Sequence, residues 1–208
     1  MQNKNNNKSG YTIIETMIAV SLFVVIVMAG IGALFNANFL HNKSQNMRSI
    51  MDNLSFIMED MSRNLRTGYN YRCITAESDL SSANIGTAKS GPSCWGIVFE
   101  FATGNASNPN DQWVYYIGSD ISLPGNPLAI WKSTVGPYTN RSNFIKLTPN
   151  EVVIDEPNGF SVLGAEPPSA GDKRQPFVTI RLVGIITYKN IVTPFSLQTS
   201  VSQRRIDI

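Results

Sequence analysis

The sequence predicts an α+β protein in which one long N-terminal helix packs on a C-terminal antiparallel β-sheet head. Three observations predict it. Residues 16–40 carry no charged side chain, and about 20 apolar residues suffice for a helix to cross a bilayer. From His41 the chain turns polar, yet Met47, Ile50, Met51, Leu54, Ile57, Met58, Met61 and Leu65 recur at the spacing of one helix face. Beyond Gly68 that period stops, and short aromatic and β-branched runs alternate with Gly, Asn and Pro clusters.

Four segments follow in order: a polar leader over 1–10, an apolar half-helix over 11–40, an amphipathic half-helix over 41–67 and a head over 68–208. The helix is expected to run unbroken from Tyr11 to about Arg66, with Gly68 as its stop. Its polar face carries Arg48, Asp52, Ser55, Glu59, Ser62, Asn64 and Arg66. The methionine-rich stripe opposite reads as core packing against a sheet. Gly30 and Gly32 each cost about 1 kcal/mol relative to Ala inside a helix. They mark either a weak point or, with Ala29, Ala33 and Ala37, a small-residue packing face.

In the head, residues 95–101 (WGIVFEF), 112–117 (QWVYYI) and 127–132 (PLAIWK) read as strands. Shorter candidates lie at 143–147, 151–155 and 160–163, and longer ones at 177–188 and 195–203. No helical period of useful length follows residue 68, so a parallel α/β fold lacks its crossover helices. Residues 78–92 and 164–176 read as surface loops.

Charge and composition narrow the function classes. The net charge of +2 comes from Lys4 and Lys8; past Gly10 the remaining 15 basic residues balance 15 acidic ones. A nucleic-acid partner is therefore not expected, although Arg63, Arg66, Arg204 and Arg205 could form a small basic patch. Cys73 and Cys94 both lie beyond the apolar run. On an oxidising side they read as a disulfide worth roughly 3 kcal/mol; two buried thiols are the other reading. The single histidine, His41, sits at the end of the apolar run with no catalytic partner nearby. Residues 108–111 and Asp155-Glu156 offer oxygens to calcium, but turn chemistry explains them more simply. No catalytic residue, metal or cofactor is expected, and the chain does not read as an enzyme.

Glu15 needs its own explanation, because a charge within a membrane segment costs about 2.5–3.5 kcal/mol on insertion scales. The stretch Lys8-Ser9-Gly10-Tyr11-Thr12-Ile13-Ile14-Glu15-Thr16-Met17-Ile18-Ala19-Val20 resembles the N-terminus of type IV prepilins and type II secretion pseudopilins. That resemblance implies cleavage by a prepilin peptidase between Gly10 and Tyr11, and N-methylation of Tyr11, where the family usually has Phe. It also implies that Glu15 pairs with the terminal amine of a neighbouring subunit, so that the helix assembles with other pilin or pseudopilin subunits. Lys4 and Lys8 then keep the leader in the cytoplasm and the head outside the cytoplasmic membrane, before the subunit joins a surface or periplasmic filament. The head is similar to minor pilins and larger minor pseudopilins, through Trp95, Tyr115-Tyr116-Ile117, Gln175-Pro176-Phe177-Val178 and the closing run from Phe195 to Arg204.

Other readings remain beside this one. An ordinary signal peptide would be cut near Ala29-Gly30 or Ala33, and Glu15 could simply snorkel at the membrane edge. The head could be a pilus-tip binding module for adhesion or DNA capture, or the chain could be a single-pass membrane-tethered sensor.

Overall fold

A computed structural model describes residues 10–81, 85–105, 107–171, 174–189 and 191–204. Among the described residues one long helix, α1 (Ile13–Thr67), is followed by ten strands in antiparallel pairs. It divides into two compact units, residues 1–46 and 47–208.

In the first unit α1 opens at Thr12, whose carbonyl accepts the Thr16 N–H at 3.2 Å. The helix passes Gly30 and Gly32 without a break, and a Cβ at either position would meet nothing. This is what a glycine tolerated on an exposed helix face looks like. The helix starts two residues later than the expected Tyr11, because Thr12 takes the capping position.

In the second unit the apolar stripe of α1 is buried: Ile50, Leu54, Ile57, Met58, Met61 and Leu65 all enter the main core. The methionines therefore pack, as their spacing predicts. The end of the helix is tied by the sheet rather than by solvent. The Tyr71 hydroxyl donates to the Leu65 and Gly68 carbonyls, and the Arg204 N–H donates to the Arg66 carbonyl at 2.9 Å. These bonds satisfy carbonyls that a helix end leaves without partners. A Cβ on Gly68 would lie 2.4 Å from the Phe99 ring, so the chain turns there only without a side chain.

The strands are β1 (Tyr69–Ile74), β2 (Gly91–Cys94), β3 (Gly96–Glu100), β4 (Trp113–Ser119), β5 (Leu128–Ser133), β6 (Ile145–Lys146), β7 (Val152–Ile154), β8 (Phe160–Leu163), β9 (Phe177–Tyr188) and β10 (Ile191–Ser202). Their order is β1-β3-β4-β5-β7-β9-β8-β2, with β10 along β9 and β6 on β5. β1 and β2 are thus the two ends of the path, and the Cys73–Cys94 disulfide joins them, with Cα atoms 5.4 Å apart. Two backbone bonds reinforce this closure, from Cys73 N–H to the Lys89 carbonyl and from Lys89 N–H to the Tyr71 carbonyl.

Side chains alternate across a strand, and here they feed two cores. Ile97, Phe99, Tyr115, Ile117 and Ile130 face the helix. Val98, Val114 and Tyr116 face the other way, meeting Ile74, Leu80, Ile85 and Tyr138, with Trp95, Trp131 and Phe144 packed alongside.

The head departs from expectation in three places. β1 and β2 have no counterpart among the expected strands, since YNYRCI and GPSC are short and mostly polar. Residues 78–92 are not simply a surface loop, because Leu80 and Ile85 are buried in the second core. The last strand begins at Ile191 rather than Phe195, since its whole length pairs with β9. The 164–176 loop is pinned at one end: the Glu166 carboxylate accepts the Ser90 N–H and hydroxyl, and the Ala165 N–H reaches Ser90 Oγ at 2.9 Å.

Candidate functional site

Two regions are candidates, one in each unit. In the first, Gly10, Tyr11 and Glu15 are all exposed, Tyr11 at 84%. Thr12 and Glu15 form a Thr-x-x-Glu pattern at the helix start, a capping-box signal that reading Glu15 only as a membrane anomaly overlooks. The Glu15 N–H points to Thr12 Oγ1 at 3.4 Å. A carboxylate in the first turn also meets the positive end of the helix dipole. Glu15 therefore has a local reason for its position, separate from any partner.

Past Glu15 the side chains are apolar and exposed, among them Met17, Phe23, Ile26, Met28 and Phe35. The few hydroxyls turn inward onto their own helix: Thr16 donates to the Ile13 carbonyl and Ser21 to the Ile18 carbonyl, both at 2.8 Å. Polar groups satisfied this way suit a medium without water. At the polar end, Asn42 bonds Asn38, Asn46 bonds the Asn42 carbonyl, and His41 pairs with Gln45 at 3.0 Å. Among the described residues this is the single helix long and apolar enough to cross a membrane. It is compatible with a single-pass membrane protein.

In the second unit a polar pin holds α1 to the sheet. Asp60 accepts from Lys132 Nζ and the Tyr115 hydroxyl, both at 2.9 Å, and from Asn64 Nδ2 at 3.0 Å. Lys132 also lies over the Trp113 ring, 4.6 Å from its centroid.

The loop that offered calcium oxygens is occupied by turns. Asn108 Oδ1 accepts the Asn110 N–H, Asn105 Oδ1 accepts the Ser107 N–H, and Asp111 Oδ2 accepts the Asn105 N–H. Beside it Glu100 is fully buried, with Gln112 Nε2 on one oxygen at 2.7 Å. Burial pushes its pKa up, against the Gln112 bond and helped by the nearby Asp111 charge. At the C-terminus, the basic patch is described only in part. Arg204 meets the end of α1 through its backbone, and Arg205 lies outside the described residues.

The second candidate site is a cavity of about 160 Å³ on the far side of the sheet from the helix. It lies between the β4–β5 turn, residues 77–80 and residues 138–144. Tyr116, Trp131, Tyr138 and Phe144 form its aromatic walls. Two ion pairs stand at its rim. Glu77 and Arg141 approach to 2.8 Å, and Asp120, which lines the cavity, meets Lys146 at 2.7 Å. The Lys146 and Ser122 hydrogen bonds to Asp120 outweigh its burial and pull its pKa down to about 2. Sequence reasoning missed this site, because its walls come from β4, β5 and two connecting segments far apart in the chain.

No family model, curated protein or solved structure matches the chain. The class that fold and site define is an α+β protein with one candidate membrane-spanning helix near its N-terminus and an antiparallel head. That head is cross-linked by the Cys73–Cys94 disulfide and carries an aromatic cavity.

Proposed function

We propose that the chain is a pilin-like subunit of the minor pilin or minor pseudopilin kind. It is processed after Gly10, held in the cytoplasmic membrane by residues 11–40 and assembled through that helix into a type IV pilus or a type II secretion pseudopilus. The observation that carries this reading is one continuous α1 whose first turn holds Glu15, whose next stretch is uncharged and exposed, and whose last turns are buried under a sheet.

The physical logic runs through charge. Cleavage after Gly10 places a new amine on Tyr11, four residues from Glu15. A carboxylate in a low-dielectric medium is costly alone and is compensated by a cation at a fixed position. A neighbouring subunit's amine supplies that cation only in one register, so Glu15 selects assembly over free diffusion in the lipid. Lys4 and Lys8 keep the leader on the cytoplasmic side, which puts the disulfide on the side where disulfides persist.

The test is N-terminal mass spectrometry of the protein from cells with and without a prepilin peptidase. The expected mature chain begins at N-methylated Tyr11 only when the peptidase is present. An intact Met1, or a cut near Ala29–Ala33, overturns the reading. Glu15→Ala is expected to leave cleavage normal and to reduce incorporation into filaments at least ~10-fold, the equivalent of ~1.4 kcal/mol.

The cavity favours a second reading of the head alone, as a binding module carried to the filament tip. Aromatic walls with a few convergent polar groups are the usual form of a small-ligand site.

A further inference from the structure

We infer that the aromatic cavity of the head binds a neutral pyranose sugar, one ring at a time. This rests on reading the head as a binding module. It uses nothing from residues 10–46, so cleavage and filament assembly can fail without touching it.

Size comes first. A volume of about 160 Å³ matches a single six-membered ring with its substituents held between the walls. The walls are also fixed before any ligand arrives. Trp131 Nε1 donates to the Gly118 carbonyl at 3.1 Å, and the Tyr138 hydroxyl donates to the Gln112 carbonyl at 2.6 Å. Tyr116 and Phe144 meet edge-on at 6.4 Å. Tyr116 lies directly over bare backbone, since a Cβ on Gly118 would come within 2.1 Å of its ring. Rigid walls cost little ordering entropy on binding.

The rim then decides the charge of the ligand. Glu77 is paired with Arg141, and Asp120 with Lys146. Among the described residues that line the cavity every formal charge already has a counter-charge, so an ionic ligand gains no free partner there. The ligand that fits is neutral.

The last step separates a sugar from a plain apolar ring. Tyr116 lines the cavity, and its hydroxyl makes no hydrogen bond to a described residue, so in the free protein it is left to solvent. Arg141 and Glu77 add donor and acceptor capacity beside it, and the Ser119 carbonyl accepts from Arg141 at 3.3 Å. An apolar ring would cover the walls and strip the Tyr116 hydroxyl of solvent without giving it a partner, which disfavours such a ligand. A pyranose offers a C–H face to the aromatic rings and hydroxyls to the rim, and a site built to bond hydroxyls discriminates strongly against ligands that lack them.

The experiment uses the full chain in lipid nanodiscs, free of glycoside detergents. Methyl glycosides of a hexose, a deoxyhexose and an N-acetylhexosamine are titrated by saturation-transfer NMR and tryptophan fluorescence. At least one is expected to bind saturably in the millimolar range, about −4 kcal/mol. Tyr116→Phe and Arg141→Ala should each weaken that binding about 10-fold, while Tyr116→Phe leaves Tm unchanged because its hydroxyl holds nothing in the free protein. Three outcomes overturn the inference: no saturable binding of any glycoside up to about 50 mM, binding indifferent to both substitutions, or saturable binding of indole or phenol with none of a glycoside.

Discussion

Asp120 shows how one side chain can tie a turn to a strand. It begins the β4–β5 turn, accepts the Ser122 N–H at 3.0 Å and hydroxyl at 2.6 Å, and faces Lys146 of β6. Its folded pKa of about 2 lies below the ordinary aspartate value of about 3.9. A depressed pKa contributes stability that is complete above the unfolded value and lost as pH falls through the folded one. The contribution of Asp120 should therefore be fully present above about pH 4 and fade toward pH 2. Asp120→Asn should lower Tm at pH 6, with the gap to the parent protein closing as pH drops through that window. Differential scanning fluorimetry over a pH series reads this directly, and a gap that stays constant down to pH 2 would rule it out.

At the scale of elements, β10 stands out because it is an outer strand with no charged residue from 191 to 202. Long uncharged edges invite pairing with other chains. The Gln203 N–H turns inward to the Pro176 carbonyl, whereas the Arg204 N–H turns the other way, to Arg66. By that alternation the even-numbered residues of β10 direct their backbone groups outward. Pro194 falls in the outward set and has no N–H to offer, so it interrupts the edge midway, and the contact of Arg204 with the helix end closes it at the far side. Pro194→Val should increase self-association of the chain in nanodiscs, read by analytical ultracentrifugation. An unchanged sedimentation profile at high concentration would mean that the edge is protected by something other than Pro194.

For the head as a whole, the decisive feature is where the sheet closes. The disulfide connects the two ends of a path that visits eight strands, so it holds together segments that share few backbone bonds. Replacing both Cys73 and Cys94 by Ser should cost about 3 kcal/mol, a fall in Tm of about 6–12 °C for a unit of this size. Reductant should lower the Tm of the parent protein by a similar amount. A change below about 2 °C would show that strand pairing alone closes the sheet.

Sequence and tertiary structure divided the work along physical lines. The sequence by itself determined α1, because a helix records its environment locally: an uncharged run reads as lipid-compatible, and the stripe from Met47 to Leu65 reads as a buried face. It also determined the strands β3, β4, β5 and β9, whose runs of aromatic and β-branched residues stand out between turn residues. Only the tertiary structure decided β1 and β2, the burial of Leu80 and Ile85, and the cavity. Each depends on partners far along the chain, such as Cys94 for Cys73 and Arg141 for Glu77, and no local period announces such pairings. The same reason separates the two candidate sites. Gly10, Tyr11 and Glu15 are legible because they lie within six consecutive residues at the start of α1, where spacing along the chain is all that relates them. Tyr116, Trp131 and Phe144 become neighbours only when β4, β5 and the 138–144 loop meet around the second core.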